Sequence, residues 1–119
     1  KAQIGRRSIS KNSESYNLAL SLLEGMNLSH RKDFTTKLLS GGEKARVSIA
    51  RAFMNDPEII LADEPTGNLD HEAATLVQNL LLETCKELNK SLVVVTHDTD
   101  FADRCDRRYV IDGGYLTQK

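Results

Sequence analysis

Three polar side chains stand where short apolar runs end. Asp63 and Glu64 follow Ile59-Ile60-Leu61-Ala62, and His97 follows Leu92-Val93-Val94-Val95-Thr96. In an open parallel sheet, ligands gather at the carboxyl ends of the strands. An Asp there suits Mg²⁺ held through water, because Mg²⁺ takes few protein ligands and dehydrates reluctantly. A Glu beside it can orient or deprotonate a water, and a His can donate to a phosphate oxygen. Ser40-Gly41-Gly42-Glu43 adds a fourth part. Two glycines let a phosphate approach the backbone, and a helix behind them presents free N–H groups and the positive end of its dipole. Each feature also has a plainer explanation. An Asp-Glu pair after a strand can be a turn or a cap, a single His an ordinary half-buried side chain, and Ser-x-x-Glu a simple capped helix start. Together they point to phosphoryl chemistry more strongly than any one alone.

The elements that must position these residues are legible in the apolar spacing. Lys1–Lys11 is polar and basic and reads as loop. Ser13 is placed to cap a helix to about Glu24, with Gly25 as its stop, and Asn27–Leu39 reads as a polar connection anchored at Phe34. Ser40 and Glu43 form a capping-box pattern. The helix behind it should run to about Met54, bury Val47, Ile49, Ala50, Phe53 and Met54, and end at Asn55-Asp56-Pro57. Ile59–Ala62 suits a buried strand. Asp70 is placed to cap a helix to about Leu88, with Ala73, Leu76, Val77, Leu80, Leu81 and Leu88 inward. Leu92–Thr96 is a second strand. Strand, helix, strand makes a βαβ crossover, and two all-apolar strands imply helices on both sheet faces. Phe101–Cys105 should form one or two helical turns. Asp112-Gly113-Gly114 between two short strand-like runs signals a hairpin.

Composition narrows the function class. The chain has 119 residues, 39% of them hydrophobic, with 16 basic and 17 acidic side chains. That apolar share excludes wholesale disorder, and a balanced charge argues against a nucleic-acid binder. Charge is uneven along the chain: nine basic against four acidic residues up to Arg46, seven against thirteen after it. The longest apolar run, Leu92–Val95, is far too short to span a bilayer. The basic start leads into no apolar stretch, so it is no secretory signal. Cys85 and Cys105 form no CxxC pair and suit two reduced thiols. His30, His71 and His97 are too scattered to suggest a metal site.

Leu39-Ser40-Gly41-Gly42-Glu43 resembles the signature motif of ATP-binding cassette ATPases, usually LSGGQ. Ile59–Pro65 resembles their Walker B strand with its catalytic glutamate, Gly67-Asn68-Leu69-Asp70 their D-loop, and Thr96-His97-Asp98 their switch-histidine loop. Order and spacing match, with 20 residues from Gly42 to Ala62 and 33 from Glu64 to His97. The resemblance covers most of Leu38–Gly114. ADEPTGNLD and VVVTHD are most similar to the branch of lipoprotein-releasing, macrolide-export and cell-division ATPases that partner membrane subunits.

The resemblance implies ATP and Mg²⁺ as cofactors and a role for each residue. Asp63 would hold the Mg²⁺ shell, Glu64 polarise the attacking water, and His97 contact the γ-phosphate. Ser40, Gly41 and Gly42 would contact the γ-phosphate of ATP on a second copy of the subunit in a head-to-tail dimer, and Asp70 would couple the two sites. Glu43 departs from the usual Gln and is expected to face backbone or Arg46. An integral membrane transporter subunit is the implied partner, from the cytoplasmic side of the inner membrane, with no nucleic acid. Nothing matches the phosphate loop GxxxxGK[ST], nor the glutamine loop or adenine-stacking aromatic. The expectation is the C-terminal half of an ATPase about twice this length. Residues 1–38 would be part of the helical subdomain and 39–119 part of the nucleotide-binding core, a partial P-loop-type parallel α/β sheet with a C-terminal hairpin. Two rival functions remain at this point: an interaction module offering only the signature in trans, and a non-transport cassette ATPase of the DNA-repair kind, whose long coiled coil has no heptad counterpart here.

Overall fold

The structure, a computed structural model, describes residues 14–119. The loop expected over Lys1–Lys11 and the cap expected at Ser13 lie outside the described residues. The chain divides into two compact units, the first ending at Glu58 and the second spanning Ile59–Lys119.

The first unit is helical. Helix α1 spans Glu14–Gly25 and α2 spans Gly41–Phe53, with short 3-10 turns at Ser29–Arg31 and Thr36–Leu38 between them. Helix α1 ends at Gly25, as expected, and its cap is completed two residues later. Asn27 takes the left-handed backbone at φ 57°. Leu28 N–H then donates to the Leu23 carbonyl at 2.7 Å and Asn27 N–H to that of Glu24 at 2.9 Å. These two bonds satisfy carbonyls that a bare helix end would orphan. They also turn Met26 and Leu28 fully into the core. The anchor of the connection is therefore Met26 and Leu28, not Phe34. Phe34 is 45% exposed, lying under the Arg31 guanidinium at 4.8 Å. Helix α2 buries Ile49, Ala50 and Phe53 as its spacing predicts, while Val47 and Met54 are only half-buried.

The second unit is α/β. Strand β1 (Ile59–Asp63) pairs in parallel with β2 (Ser91–Val95), joined by helix α3 (His71–Glu87). Helix α4 (Thr99–Asp103) follows, then a hairpin of β3 (Tyr109–Asp112) and β4 (Tyr115–Gln118). The hairpin turn is Gly113-Gly114, at φ 56° and 84°. Only glycine enters that region freely at two successive positions, which is what a two-residue hairpin turn requires. Helix α3 ends as α1 does: Asn89 sits at φ 54°, and Lys90 N–H donates to the Cys85 carbonyl at 2.7 Å.

Two expectations need correction here. The inner face of α3 is Val77, Gln78, Leu80, Leu81 and Cys85, whereas Leu76 and Leu88 are exposed. The sheet is not covered on both faces. Burial alternates along both strands, so Ile60, Ala62, Leu92 and Val94 face inward and Ile59, Leu61, Val93 and Val95 stand exposed. Among the described residues the main sheet has only two strands, and the all-apolar runs carry one face that no described residue covers. No helix among the described residues is long and apolar enough to cross a membrane.

Candidate active site

In the first unit, Ser40 caps α2. Its hydroxyl oxygen accepts from Glu43 N–H at 3.1 Å, and the Glu43 carboxylate accepts from Ser40 N–H at 3.1 Å. This is the reciprocal box that the spacing predicts. It leaves Gly41 and Gly42 in the first turn, ahead of the first helical bond from Lys44 N–H to the Ser40 carbonyl. The other carboxylate oxygen of Glu43 accepts from Arg31 Nε at 2.9 Å. The backbone half of the expectation for Glu43 therefore holds, but its cationic partner is Arg31, not Arg46. Arg46 is occupied elsewhere: it donates to the Met26 carbonyl at 3.0 Å and the Gly42 carbonyl at 3.4 Å, tying α2 to the end of α1. The Ser40 amide, and after it the Ser40 hydroxyl and Arg31, holds the Glu43 carboxyl below the usual range.

In the second unit the parallel register sets the geometry. Asp63 is opposite Val95, and the next amide, Glu64 N–H, donates to the Val95 carbonyl at 2.8 Å. Glu64 then turns sharply at φ 45°. For a residue with a Cβ this conformation costs on the order of 1–3 kcal/mol and persists only where its surroundings hold it. Gly67 N–H closes the turn on the Glu64 carbonyl at 3.2 Å. A Cβ at Gly67 would lie 3.6 Å from the Glu64 Cβ, so the turn packs directly against the Glu64 side chain. Asp70 caps α3, its Oδ1 accepting from Ala73 N–H at 2.9 Å.

His97 follows β2 by two residues. Its Nε2 lies 3.4 Å from Glu64 Oε1; the His97 side chain is 98% exposed and that of Glu64 35%. Glu64 Oε1 itself is buried and, among the described residues, has no hydrogen-bond partner. Asp63 is exposed, and the described residues offer its carboxylate no hydrogen bond or ion pair. Glu64 and His97 open on a cleft of about 580 Å³ that also takes in Gly67, Asn68 and Asp98. The structure thus brings together Glu64 and His97 from the two strand ends, whereas Asp63 is not among the residues that line their cleft.

Two residues that support the site, Gln78 and Arg104, escape a search for chemical motifs, whereas Thr66 and Asp98 fall within ADEPTGNLD and Thr96-His97-Asp98. Gln78, Thr66, Asp98 and Arg104 form a polar network behind the cleft. Asp98 also caps α4, accepting from Phe101 N–H at 3.0 Å. The Phe101 amide, with Gln78 second, holds its carboxyl below the usual range. The available signal was a Gln on the apolar stripe of α3, between Val77 and Leu81.

A parallel sheet with a crossover helix and acid and imidazole at its carboxyl ends is the arrangement of a nucleotide-binding α/β domain. A profile of the ABC transporter family matches residues 2–67, over half the chain. The chain therefore belongs to the ABC transporter family, as part of its ATPase domain. It is 46% identical over 118 residues to the lipoprotein-releasing system ATP-binding protein LolD of Protochlamydia amoebophila, covering 99% of this chain and 52% of that protein. With LolD of Pseudoalteromonas translucida it is 48% identical over 101 residues, covering 85% and 44%. Among solved structures, the ADP conformation of MJ1267, an ATP-binding cassette of an ABC transporter, superposes with a TM-score of 0.83 at 30% identity, covering 93% of this chain and 44% of that one. The dimeric post-hydrolysis state of the cassette MJ0796 bound to ADP and Pi gives 0.73 at 35% identity, covering 94% and 50%. The chain spans about half the length of the relatives it matches.

Proposed function

We propose that these residues are the C-terminal part of the ATP-hydrolysing subunit of an ABC transporter, powering lipoprotein release or a related export step. The observation that supports this best is the buried, unpartnered Oε1 of Glu64, 3.4 Å from His97 Nε2 at the carboxyl ends of two parallel strands. A buried carboxylate oxygen without a partner is costly unless something else fills the place, and a water awaiting attack on phosphate is such a partner. Glu64 is then the group that orients the water, and His97 donates to the γ-phosphate. The free Asp63 carboxylate fits Mg²⁺ held through water; the metal supplies charge neutralisation on the phosphates. Ser40, Gly41 and Gly42 offer a hydroxyl and first-turn amides to the γ-phosphate of ATP held by a second copy, in a head-to-tail dimer. Asp70, by fixing the start of α3, couples the two sites.

The remaining parts of the proposal concern partners. An integral membrane subunit receives the work, with the ATPase lying on the cytoplasmic side of the inner membrane. Residues 1–38 belong to the helical subdomain that faces it. The motifs LSGGE, ILADEP and THD in one order, and the identity to LolD proteins, support this. The test is ATP hydrolysis by the full-length domain, with the phosphate-loop half supplied upstream. Turnover should require Mg²⁺ and fall on His97→Ala. The 119-residue chain alone should hydrolyse no ATP, because phosphoryl transfer depends on a phosphate cradle that it lacks. Wild-type turnover in His97→Ala, or Mg²⁺-dependent turnover by the 119 residues alone, would overturn the assignment.

A further inference from the structure

Gln78 stands on the inner stripe of α3, one turn before Leu81 and two before Cys85, and is buried like them. Packing alone asks for an apolar side chain there. Instead the Gln78 amide makes three side-chain hydrogen bonds. Its Nε2 donates to Asp98 Oδ2 at 2.8 Å and to Thr66 Oγ1 at 3.3 Å, and its Oε1 accepts from Arg104 Nη1 at 3.3 Å. The amide can face only one way: its oxygen meets a guanidinium and its NH₂ meets a carboxylate. Both amide protons and the carbonyl oxygen are thereby used.

Two of the three partners, Thr66 and Asp98, lie on the two loops that carry the site, and Arg104 is at the end of α4. Thr66 is two residues after Glu64, inside the turn that Gly67 closes on the Glu64 carbonyl. Asp98 is the residue after His97, and its own amide donates to Thr96 Oγ1 at 3.0 Å. The approach of Glu64 Oε1 to His97 Nε2 depends on where these two loops sit, since each side chain comes from a different strand. Among the described residues, Gln78 is the side chain that hydrogen-bonds to both loops.

We propose that Gln78 is a positioning residue of this ATPase site: by holding Thr66 and Asp98 together it sets the distance between Glu64 and His97. This rests on the ATPase assignment above. A misplacement of reacting groups by about 1 Å can cost up to ~100-fold in rate, so loss of the bridge should be read in turnover, not in nucleotide binding.

The experiment uses the full-length domain. Gln78→Leu fills the same space without the bonds. It should lower kcat roughly tenfold, the worth of one hydrogen bond to a charged group, with KM for ATP within about twofold of wild type on the same grounds. Gln78→Glu keeps the shape but sets a second carboxylate against Asp98, and should cost as much. Adding Asp98→Asn to Gln78→Glu exchanges the two groups, restores a donor–acceptor pair and should recover most of the loss. A side-chain NMR resonance of His97 supplies a readout independent of turnover. It should move in Gln78→Leu, return in the double variant, and leave His30 unchanged throughout. If wild-type domain hydrolyses no ATP, the proposed function fails while the His97 resonance still decides the positioning role. A wild-type His97 resonance in Gln78→Leu, or a loss in Gln78→Glu that Asp98→Asn does not recover, overturns the proposal.

Discussion

The bare face of the β1–β2 sheet should make the 119-residue chain associate with itself, and two charges should stop it. Leu61 is 77% exposed, Ile59 56%, Val95 56% and Val93 54%. Fully burying one such side chain is worth about 1.5–3 kcal/mol, so these four partly exposed ones hold roughly 4–7 kcal/mol per copy. Two copies meeting face to face gain about twice that, against an association cost of about 4–15 kcal/mol. With a cost of about 6 kcal/mol, in the lower part of that range, the surplus is on the order of 5 kcal/mol, a Kd of about 200 µM. Unpaired strand edges add to the tendency, because they are templates for pairing with another chain. Leu61 and Val93 are direct neighbours in the parallel register, so Leu61→Lys with Val93→Lys places two charges at the centre of the patch. Light scattering over a dilution series without nucleotide is the assay. Wild type should gain mass with concentration through the hundred-micromolar range, and the double-Lys variant should stay monomeric. A compact wild-type monomer at every concentration, with a cooperative thermal transition, would refute the reasoning.

Three further outcomes follow from the hydrogen bonding and the core. Ser40→Ala removes the hydroxyl that accepts from Glu43 N–H and should cost about 1 kcal/mol in urea denaturation; Ser40→Asp, which keeps the cap, should restore most of it. Phe101 is fully buried, so Phe101→Ala should cost about 3–5 kcal/mol by the same measurement. Asp98 and Glu43 both have carboxyls held below their ordinary values by hydrogen bonds. A lowered folded pKa adds stability above the unfolded value, about 3.9 for Asp and 4.3 for Glu, and loses it as pH falls through the folded one. The thermal midpoint should therefore drop as pH falls below about 4, and Asp98→Asn with Glu43→Gln should flatten that drop.

The legible parts of this chain are those whose signal is local. Ser40 and Glu43 specify a capping box within four residues, and it forms with both bonds in place. Gly113-Gly114 supplies the two positive φ values that a tight hairpin needs, and the register closes around it. The apolar runs at Ile59 and Leu92 become paired parallel strands, which brings Glu64 and His97 within 3.4 Å of each other. What escaped depends on tertiary context. An apolar run does not say how many of its faces will be covered, so the exposed side of Leu61 and Val93 was hidden in the pattern. Phe34 is apolar but sits on a turn under Arg31. Leu76 and Leu88 are apolar but sit off the stripe that meets the sheet. The choice of Arg31 over Arg46 for Glu43 is set by the end of α1, which aims a backbone carbonyl at Arg46. Gln78 reads as a surface residue by composition; only its place among Val77, Leu81 and Cys85 marks it as buried.

The central claim is that Glu64 orients the attacking water while other groups hold the nucleotide. The most direct test is one sample of the full-length domain carrying Glu64→Gln, assayed for both Mg²⁺-ATP binding and turnover. The side chain keeps its size in the turn that Gly67 packs against, and loses only the carboxylate. ATP affinity should stay at the wild-type value, and kcat should fall roughly 10²- to 10⁴-fold, the usual worth of a positioned general base. Turnover at the wild-type rate, or a loss of ATP binding that accounts for the lost turnover, would contradict the account.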